Sequence, residues 1–180
     1  MRKYIRQDGR SEVIFTIYDK NILRNIIIPI CYNNLKSDKK LNQFNNWLTN
    51  YFPDLKINKQ NIEYQLNEQW LTGFVNGDDS FYTIIYKAKD YKCNYQVQAV
   101  FDIAQLDIER KLLENISNQF FQNNHKWAKS KNTQHLRIMK LENLINYVKP
   151  FFDRNNLQSR KQLDFIIWKE ILTMMEKKEH

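Results

Sequence analysis

The stretch that decides the fold is Trp70-Leu71-Thr72-Gly73-Phe74-Val75-Asn76-Gly77-Asp78-Asp79-Ser80-Phe81. The whole chain contains three glycines, and two of them, Gly73 and Gly77, lie here, four residues apart. Because residues i and i+4 share one face of an α-helix, this spacing predicts a short helix with one side reduced to backbone. A pair of acids, Asp78 and Asp79, follows the second glycine. The stretch therefore predicts a helix that another helix approaches closely and that ends in carboxylates.

Hydrophobic periodicity on both sides of this stretch predicts alternating strands and helices. Period-2 alternation predicts strands over residues 12–18, 81–89, 95–105, 126–129 and 134–139. Helical spacing predicts helices over 21–28, 38–52, 107–121, 141–152 and 159–177. We expect Pro29 to end the first of these helices and Asp107 to cap the third. After the glycine stretch the order is two strands, a helix, two strands and two helices, which is an α+β pattern.

An internal repeat relates two distant parts of the chain. Pro29 to Trp47 resembles Pro150 to Trp168, with the prolines 121 residues apart (150 minus 29) and an Asn-Asn-Leu-x-Ser match displaced by one further residue. Chance similarity between amphipathic helices is the alternative. Asp78 has no counterpart 121 residues earlier in the chain. We therefore expect the back half of a first repeat over 1–53, a linker over 54–66 and a complete second repeat over 67–180.

Leu71 to Asp79, with Trp70 before it, resembles the signature of the LAGLIDADG homing endonucleases. The order of predicted elements and the internal repeat are similar to the double-motif form of that family. The resemblance implies an α+β fold, an α-β-β-α-β-β-α-α repeat whose antiparallel sheet forms a saddle over a nucleic-acid duplex. It also implies two motif helices packed at a pseudo-dyad, of which this sequence holds one. A partner chain, a second copy or RNA then has to cover the helix interface at Gly73 and Gly77.

The same resemblance implies catalytic roles for residues in three parts of the chain. Asp78 matches the metal-binding acid of the family, with the Gly77 carbonyl beside it, and Mg²⁺ is the expected ion if the protein cleaves. Gln105 matches the polar residue that orients water. Lys36 matches a basic residue in the half-repeat, and Gln158 takes that position in the complete repeat, where a neutral side chain weakens the case for cleavage. As alternatives, Asp78 is a turn residue and Gln105 an ordinary strand-end residue.

Alternation along the predicted strands separates a core face from a ligand face. Tyrosines on the ligand face stack on unpaired bases or bind protein, and glutamines there read adenine edges or are simply exposed. The second predicted hairpin adds basic and imidazole side chains suited to phosphate contacts. The candidate nucleic-acid-binding residues are Tyr82, Tyr86, Gln96, Gln98, Lys126, Lys129, Lys131, His135 and Arg137, with Asp102 on the same face.

The formal net charge of +8 fits a nucleic-acid partner, with a merely basic surface as the alternative. No apolar run is long enough to span a bilayer, so we expect no membrane partner. The abundance of Asn, Ile, Lys, Tyr and Phe is typical of an A+T-rich genome. It predicts an organelle-encoded protein, for example of the mitochondrion.

Two departures from the family pattern bear on function. Asn76 stands where the family has an acid, and Asp79 stands where it has a glycine, which adds a charge and a Cβ at the helix-to-strand turn. With the absent first motif, Gln158 and the tyrosines Tyr82 and Tyr86 on the ligand face, these departures favour a nucleic-acid-binding protein without efficient cleavage. It is then co-opted for RNA binding, as an intron maturase or a component of an organellar ribosome. The alternative is a site-specific, Mg²⁺-dependent DNA endonuclease that acts with a partner chain supplying the first motif.

Overall fold

A computed structural model of the chain describes residues 2–5, 11–55, 65–78, 80–90 and 93–177. By its internal contacts the chain divides into two compact units, residues 1–35 and 36–180. Most of the predicted linker and Asp79 lie outside the described residues, and the predicted repeat boundaries stay predictions. Within the described residues, no helix is both long and apolar enough to cross a membrane.

The first unit contains a hairpin and a helical run. Strand β1 (Arg2–Ile5) pairs antiparallel with β2 (Ser11–Ile14). The helical run consists of α1 (Lys20–Ile22), a π-helical turn (Leu23–Ile27) and α2 (Ile28–Asn34).

Two sequence predictions for this unit are wrong. The strand expected over 12–18 ends at Ile14, and the helix begins where the Asp19 carboxylate accepts the N–H groups of Asn21 and Ile22 at 2.8 and 2.9 Å. Pro29 does not end the helix. It lies in the first turn of α2, directly after the π-helical turn, at a position where the missing N–H of proline costs little.

The second unit follows the predicted order. Its helices are α3 (Asp38–Tyr51), α4 (Glu68–Asp78), α5 (Arg110–Phe121), α6 (Leu141–Asn143), α7 (Lys149–Arg154) and α8 (Ser159–Glu176). Its strands are β3 (Ser80–Lys87), β4 (Tyr95–Leu106), β5 (Lys126–Ser130) and β6 (Thr133–Ile138). They form one antiparallel sheet in the order β3-β4-β6-β5. The predicted α+β class and repeat order are confirmed.

Asp107 does not cap α5 as the sequence predicted. A short 3-10 turn, Asp107–Glu109, stands between β4 and α5. The Asp107 carboxylate instead lies 2.8 Å from Lys129 Nζ on β5, and this hydrogen bond lowers the pKa of Asp107.

The internal repeat recurs in the secondary structure. A second π-helical turn, Leu144–Val148, precedes Pro150 just as Leu23–Ile27 precedes Pro29, at a spacing of 121 residues (144 minus 23). Helices α3 and α8 also begin 121 residues apart (159 minus 38). A π-helical turn therefore precedes a proline within a helical run at both places.

This spacing changes one residue equivalence. Ser37 precedes α3 and accepts the Lys40 N–H at 3.2 Å, and Gln158 precedes α8 in the same position. At a spacing of 121, Gln158 thus corresponds to Ser37, and Lys36 corresponds to Leu157. The sequence match that paired Lys36 with Gln158 is one residue out of register.

One face of the sheet packs against the helices around an aromatic core. The ring centroid of Phe81 lies 5.1 Å from that of Phe101 and 5.2 Å from that of Trp168. Each such pair contributes about 0.5–1.5 kcal/mol beyond the area it buries. Helix α4 adds Leu71 and Val75, both fully buried, to this core. The motif helix is therefore anchored along its apolar side.

Candidate active site and nucleic-acid interface

Helix α4 has an apolar side and a bare side. Leu71 and Val75 are buried, whereas Gly73 and Gly77 are exposed. A Cβ built on either glycine meets no described atom within 4 Å outside the helix's own backbone. Asp78 is the last residue of the helix. The predicted helix with a bare glycine face and an acid at its end is confirmed, and the described part of the chain leaves that face uncovered.

Asn76 links the motif helix to the loop before α8. Its Oδ1 accepts the Gln158 N–H at 2.7 Å, and its Nδ2 donates to the Thr72 carbonyl at 3.0 Å. At the other end of α4, Glu68 Oε2 accepts a hydrogen bond from Asn155 Nδ2 at 3.0 Å. The loop between α7 and α8 is thus bound to both ends of α4. Gln158 is thereby brought to the last turns of the motif helix, a contact that the sequence did not indicate.

The other two candidate catalytic residues lie on separate elements. Gln105 is half-buried near the end of β4 and pairs across the sheet with Gln134 of β6. Lys36 is half-buried in the loop before α3, immediately before the capping residue Ser37. The catalytic roles of both residues stay predictions.

The sheet face opposite the core carries a polar network centred on Asp102. Asp102 is only 5% exposed, and its Oδ2 accepts hydrogen bonds from Arg137 Nε at 2.9 Å and from the Tyr82 hydroxyl at 3.2 Å. His135 Nδ1 lies 3.1 Å from both carboxylate oxygens. The hydrogen bond to Asp102 raises the pKa of Arg137. Burial, and then the charge of Asp102, raises the pKa of Tyr82.

The remaining tyrosine and glutamines share that face. Tyr86 pairs with Gln96 across β3 and β4, and Gln98 lies two residues further along β4. Tyr86 is 38% exposed, and both glutamines are half-buried. On the other face, Ile85 is 65% exposed, because the buried residues of this hairpin are at its opposite end, around Phe81.

The three candidate lysines of the second hairpin do not act as one surface. Lys126 is exposed and lies opposite Arg137 in the β5–β6 register, so it shares the ligand face. Lys129 is on the other face of β5, where it pairs with Asp107. Lys131 is exposed in the turn between β5 and β6, at a positive φ of 53°.

Comparison with known proteins shows which family has this architecture. A sequence model of the family described as LAGLIDADG endonuclease matches residues 71–172, more than half of the chain. The chain belongs to this family. "Probable intron-encoded endonuclease 2" of Neurospora crassa is 32% identical over 117 residues, covering 64% of this chain and 26% of that protein. "Endonuclease SceI small subunit" of Saccharomyces cerevisiae is 30% identical over 104 residues, covering 56% and 22%. The chain thus spans about a quarter of the length of these curated relatives.

Solved LAGLIDADG structures share the fold. The homing endonuclease I-TnaI matches with a TM-score of 0.60 at 32% identity, covering 64% of this chain and 77% of that chain. The meganuclease I-SmaMI bound to uncleaveable DNA matches with a TM-score of 0.63 at 26% identity, covering 74% of this chain and 46% of that chain. The chain accordingly corresponds to less than half of the DNA-bound relative.

LAGLIDADG endonucleases generally use divalent metal ions, and the end of α4 offers donors that suit them. The Gly77 carbonyl lies in the last helical turn, where carbonyls lack intrahelical partners and the helix dipole is negative. Asp78 adds a carboxylate, the ligand that Mg²⁺ and Ca²⁺ prefer. Among the described residues, no group of three His, Cys, Asp or Glu side chains is close enough to hold a metal ion. By donor type Gly77 and Asp78 fit such an ion, and their role as its ligands stays a prediction.

Proposed function

We propose that the chain is one half of a sequence-specific DNA endonuclease whose second motif helix comes from another LAGLIDADG repeat. The uncovered face of α4 carries this proposal, because Gly73 and Gly77 leave room for a close-packed helix at the turn that ends in Asp78. A helix that served only as surface would be more stable with alanine, since each interior glycine costs roughly 1 kcal/mol. The second helix is supplied by the same polypeptide, a partner chain or a second copy.

In the proposed reaction Asp78 and the Gly77 carbonyl would hold a divalent cation, and the opposing acid would come from the second helix. Such a cation, when bound there, would stabilise charge on the phosphate and lower the pKa of the attacking water. Gln158, which Asn76 holds at the end of α4, offers a neutral amide to the phosphate or the water. A neutral amide stabilises developing negative charge less than a cationic side chain does, so we expect the contribution of Gln158 to cleavage to be small. Gln105 takes the water-orienting role.

Duplex DNA is the nucleic acid that the sheet supports best. Glutamines on a β-sheet reach base edges in the major groove of DNA, and Gln96 and Gln98 lie on the ligand face. Lys126, on the edge strand β5, suits a phosphate. The DNA-bound structures of I-SmaMI support this choice.

Cleavage of a plasmid library with randomised inserts tests the proposal. The purified full chain is incubated in Mg²⁺, alone and together with a second LAGLIDADG subunit encoded by the same genome, and cut ends are sequenced. We expect sequence-specific double-strand cuts that Asp78→Asn abolishes. Asn118→Ala, at an exposed position of α5, is the matched control and retains them. Cuts of equal rate in Asp78→Asn would contradict the assignment of the acid.

A second candidate function is RNA binding without efficient cleavage, as an intron maturase or a component of an organellar ribosome. Tyr86, which is 38% exposed, favours it, because aromatic side chains on a sheet stack on unpaired bases. Crosslinking that recovers one structured RNA, equally in wild type and Asp78→Asn, would support this function against the nuclease.

We also propose an organellar origin, with the mitochondrion as the compartment. The A+T-rich composition and relatives named as intron-encoded endonucleases support it. Sequencing the genomic locus decides this point, since an organellar intron would support the proposal and a nuclear gene lacking an organelle-targeting segment would contradict it.

A further inference from the structure

We propose that Arg137 reads a guanine in the major groove of the DNA target and that Asp102 is the positioning residue for its guanidinium. The inference rests on the proposed DNA-binding function and assigns a base preference to one side chain of this chain. It follows from three properties of the network on the ligand face: which nitrogen Asp102 binds, what fixes Asp102, and where Arg137 lies in the sheet.

Asp102 binds the nitrogen of Arg137 that guanine recognition does not need. Its Oδ2 accepts the Nε–H at 2.9 Å. A guanidinium has five N–H groups, of which four belong to the two Nη atoms at the tip. Bidentate contact of arginine with the O6 and N7 atoms of guanine is the commonest specific protein–DNA contact, and the tip supplies two parallel donors for it. The carboxylate therefore fixes the orientation of the fork and leaves the tip for the base.

The carboxylate is itself fixed from other sides. His135 Nδ1 lies 3.1 Å from both oxygens. Because an ionised carboxylate only accepts hydrogen bonds, the tautomer that fits this contact carries its hydrogen on Nδ1 and donates it to Asp102. Arg137 Nη2 lies 3.5 Å from the same Nδ1, and two donors do not bond to each other. The Nη2 hydrogens are consequently not consumed by His135. The Tyr82 hydroxyl, at 3.2 Å, completes the set of donors around Asp102.

The position of the pair separates base reading from phosphate binding. Asp102 and Arg137 are direct partners on β4 and β6, the two interior strands of the sheet. The Arg137 side chain keeps 33% of its surface exposed, whereas that of Asp102 keeps 6%. A phosphate contact needs charge but no fixed orientation, and Lys126 on the edge strand provides such a charge. A buried carboxylate on a nucleic-acid face costs desolvation and repels phosphates unless it is fully paired, which this one is.

The same geometry selects DNA over RNA. The major groove of B-DNA is wide enough to admit secondary-structure elements, whereas that of A-form RNA is too deep and narrow for side chains to read. Because the buried Asp102 carboxylate holds the Arg137 guanidinium near the sheet, the side chain does not extend into a deep groove. A guanine edge in B-DNA is therefore the ligand that this arrangement fits.

Binding-site selection tests the inference. The full chain is offered duplex DNA with a randomised central segment in Ca²⁺, the ion present in the structure of I-SmaMI on an uncleaved target. We expect one position at which guanine is enriched about 5- to 150-fold, the fold-change of a good bidentate contact. Arg137→Lys keeps the charge but lacks the fork, and it should lose this enrichment while the salt dependence of binding stays the same. Asp102→Asn should reduce the enrichment at that position alone.

Lys126→Ala is the matched variant, because it should weaken binding to all sequences alike and lower the salt dependence. Guanine enrichment that survives Arg137→Lys overturns the inference. So does an Asp102→Asn variant that folds, by its urea midpoint, and selects the same sites as wild type. If Asp102→Asn does not fold, Arg137→Lys still decides. Selected duplex sites with no dependence on Arg137 remove only this inference, whereas selection of structured RNA in place of any duplex removes the proposed function with it.

Discussion

At the scale of single residues, Glu109 caps the start of helix α3, a role that its position in the sequence did not suggest. It is 3% exposed, and its carboxylate accepts hydrogen bonds from the Ser37 hydroxyl at 2.7 Å and from the N–H groups of Lys39 and Asp38 at 2.9 and 3.1 Å. The first-turn N–H groups of α3, which have no partner within the helix, are thus satisfied by a residue of the turn before α5. We expect Glu109→Ala to lower the free energy of unfolding by about 2 kcal/mol, measured by urea denaturation.

The matched control for this prediction is Glu114→Ala. Glu114 pairs with Arg110 at 2.9 Å on the surface of α5, with both side chains nearly half exposed. Exposed ion pairs contribute little, so this variant should unfold close to wild type. Equal urea midpoints for the two alanine variants would show that Glu109 is not a cap.

A second residue-scale prediction concerns His125. Its Nδ1 lies 2.5 Å from the hydroxyl of the fully buried Ser117, its ring meets the edge of Trp127, and burial lowers its pKa. The unfolded chain therefore takes up this proton first as pH falls. Stability contributed by neutral His125 is present above about pH 6.5 and is lost below it. Urea midpoints of wild type should fall between pH 7.5 and about 5.5 more steeply than those of His125→Gln, and parallel curves would contradict this.

At the scale of elements, one substitution in helix α4 is predicted to raise stability and to reduce cleavage. Gly73→Ala adds a methyl group into open space in this chain, so it should raise the free energy of unfolding by roughly 0.5–1 kcal/mol. The same methyl group should reduce Mg²⁺-dependent cleavage, because it keeps the second motif helix from approaching. Thermal melts and plasmid cleavage by the same preparation measure the two effects. Unchanged cleavage in a stabilised Gly73→Ala protein would mean that no helix packs there.

Local patterns predicted the elements well, and long-range contacts were not predictable. The glycine pair and the period-2 runs gave α4 and all four strands of the main sheet, because these signals lie within a few neighbouring residues. Asn76 and Gln158 are 82 residues apart in sequence, and Glu109 and Ser37 are 72 apart. No spacing rule connects such pairs. The burial of Asp102 was hidden for the same reason, since its three partners come from β3 and β6.

Pro29 and Pro150 show a different limit. A proline predicts the end of a helix when only α-helical hydrogen bonding is considered. In both units a π-helical turn before the proline shifts the hydrogen-bond ladder, and the helix continues. The occurrence of both π-helical turns at the same spacing was predictable only from the sequence repeat. Within that repeat, the Asn-Asn-Leu match gave a register that is one residue out.

At the scale of the whole molecule, the sequence and the structure give two different starts for the part of the chain that contains the motif helix. The sequence predicts that the complete repeat is residues 67–180, whereas the compact unit begins at residue 36 and includes α3. The difference rests on Glu109, whose partners at the start of α3 are lost in the shorter fragment. We expect fragment 36–180 to unfold in one transition near that of the full chain, and fragment 67–180 to unfold at lower urea. Both are followed by tryptophan fluorescence, to which Trp168 in the core contributes.

Glu109→Gln in each fragment identifies the cause. In 36–180 the amide replaces a carboxylate that accepts three hydrogen bonds, so the urea midpoint should fall. In 67–180 those donors are gone, and the same substitution should leave the midpoint unchanged or raise it, because an unpaired buried carboxylate becomes neutral. Equal stability of the two fragments, with no effect of the substitution in either, would place the boundary at residue 67. Helix α3 would then be part of a separate half-repeat, and its contact with Glu109 would contribute nothing to the stability of the motif repeat.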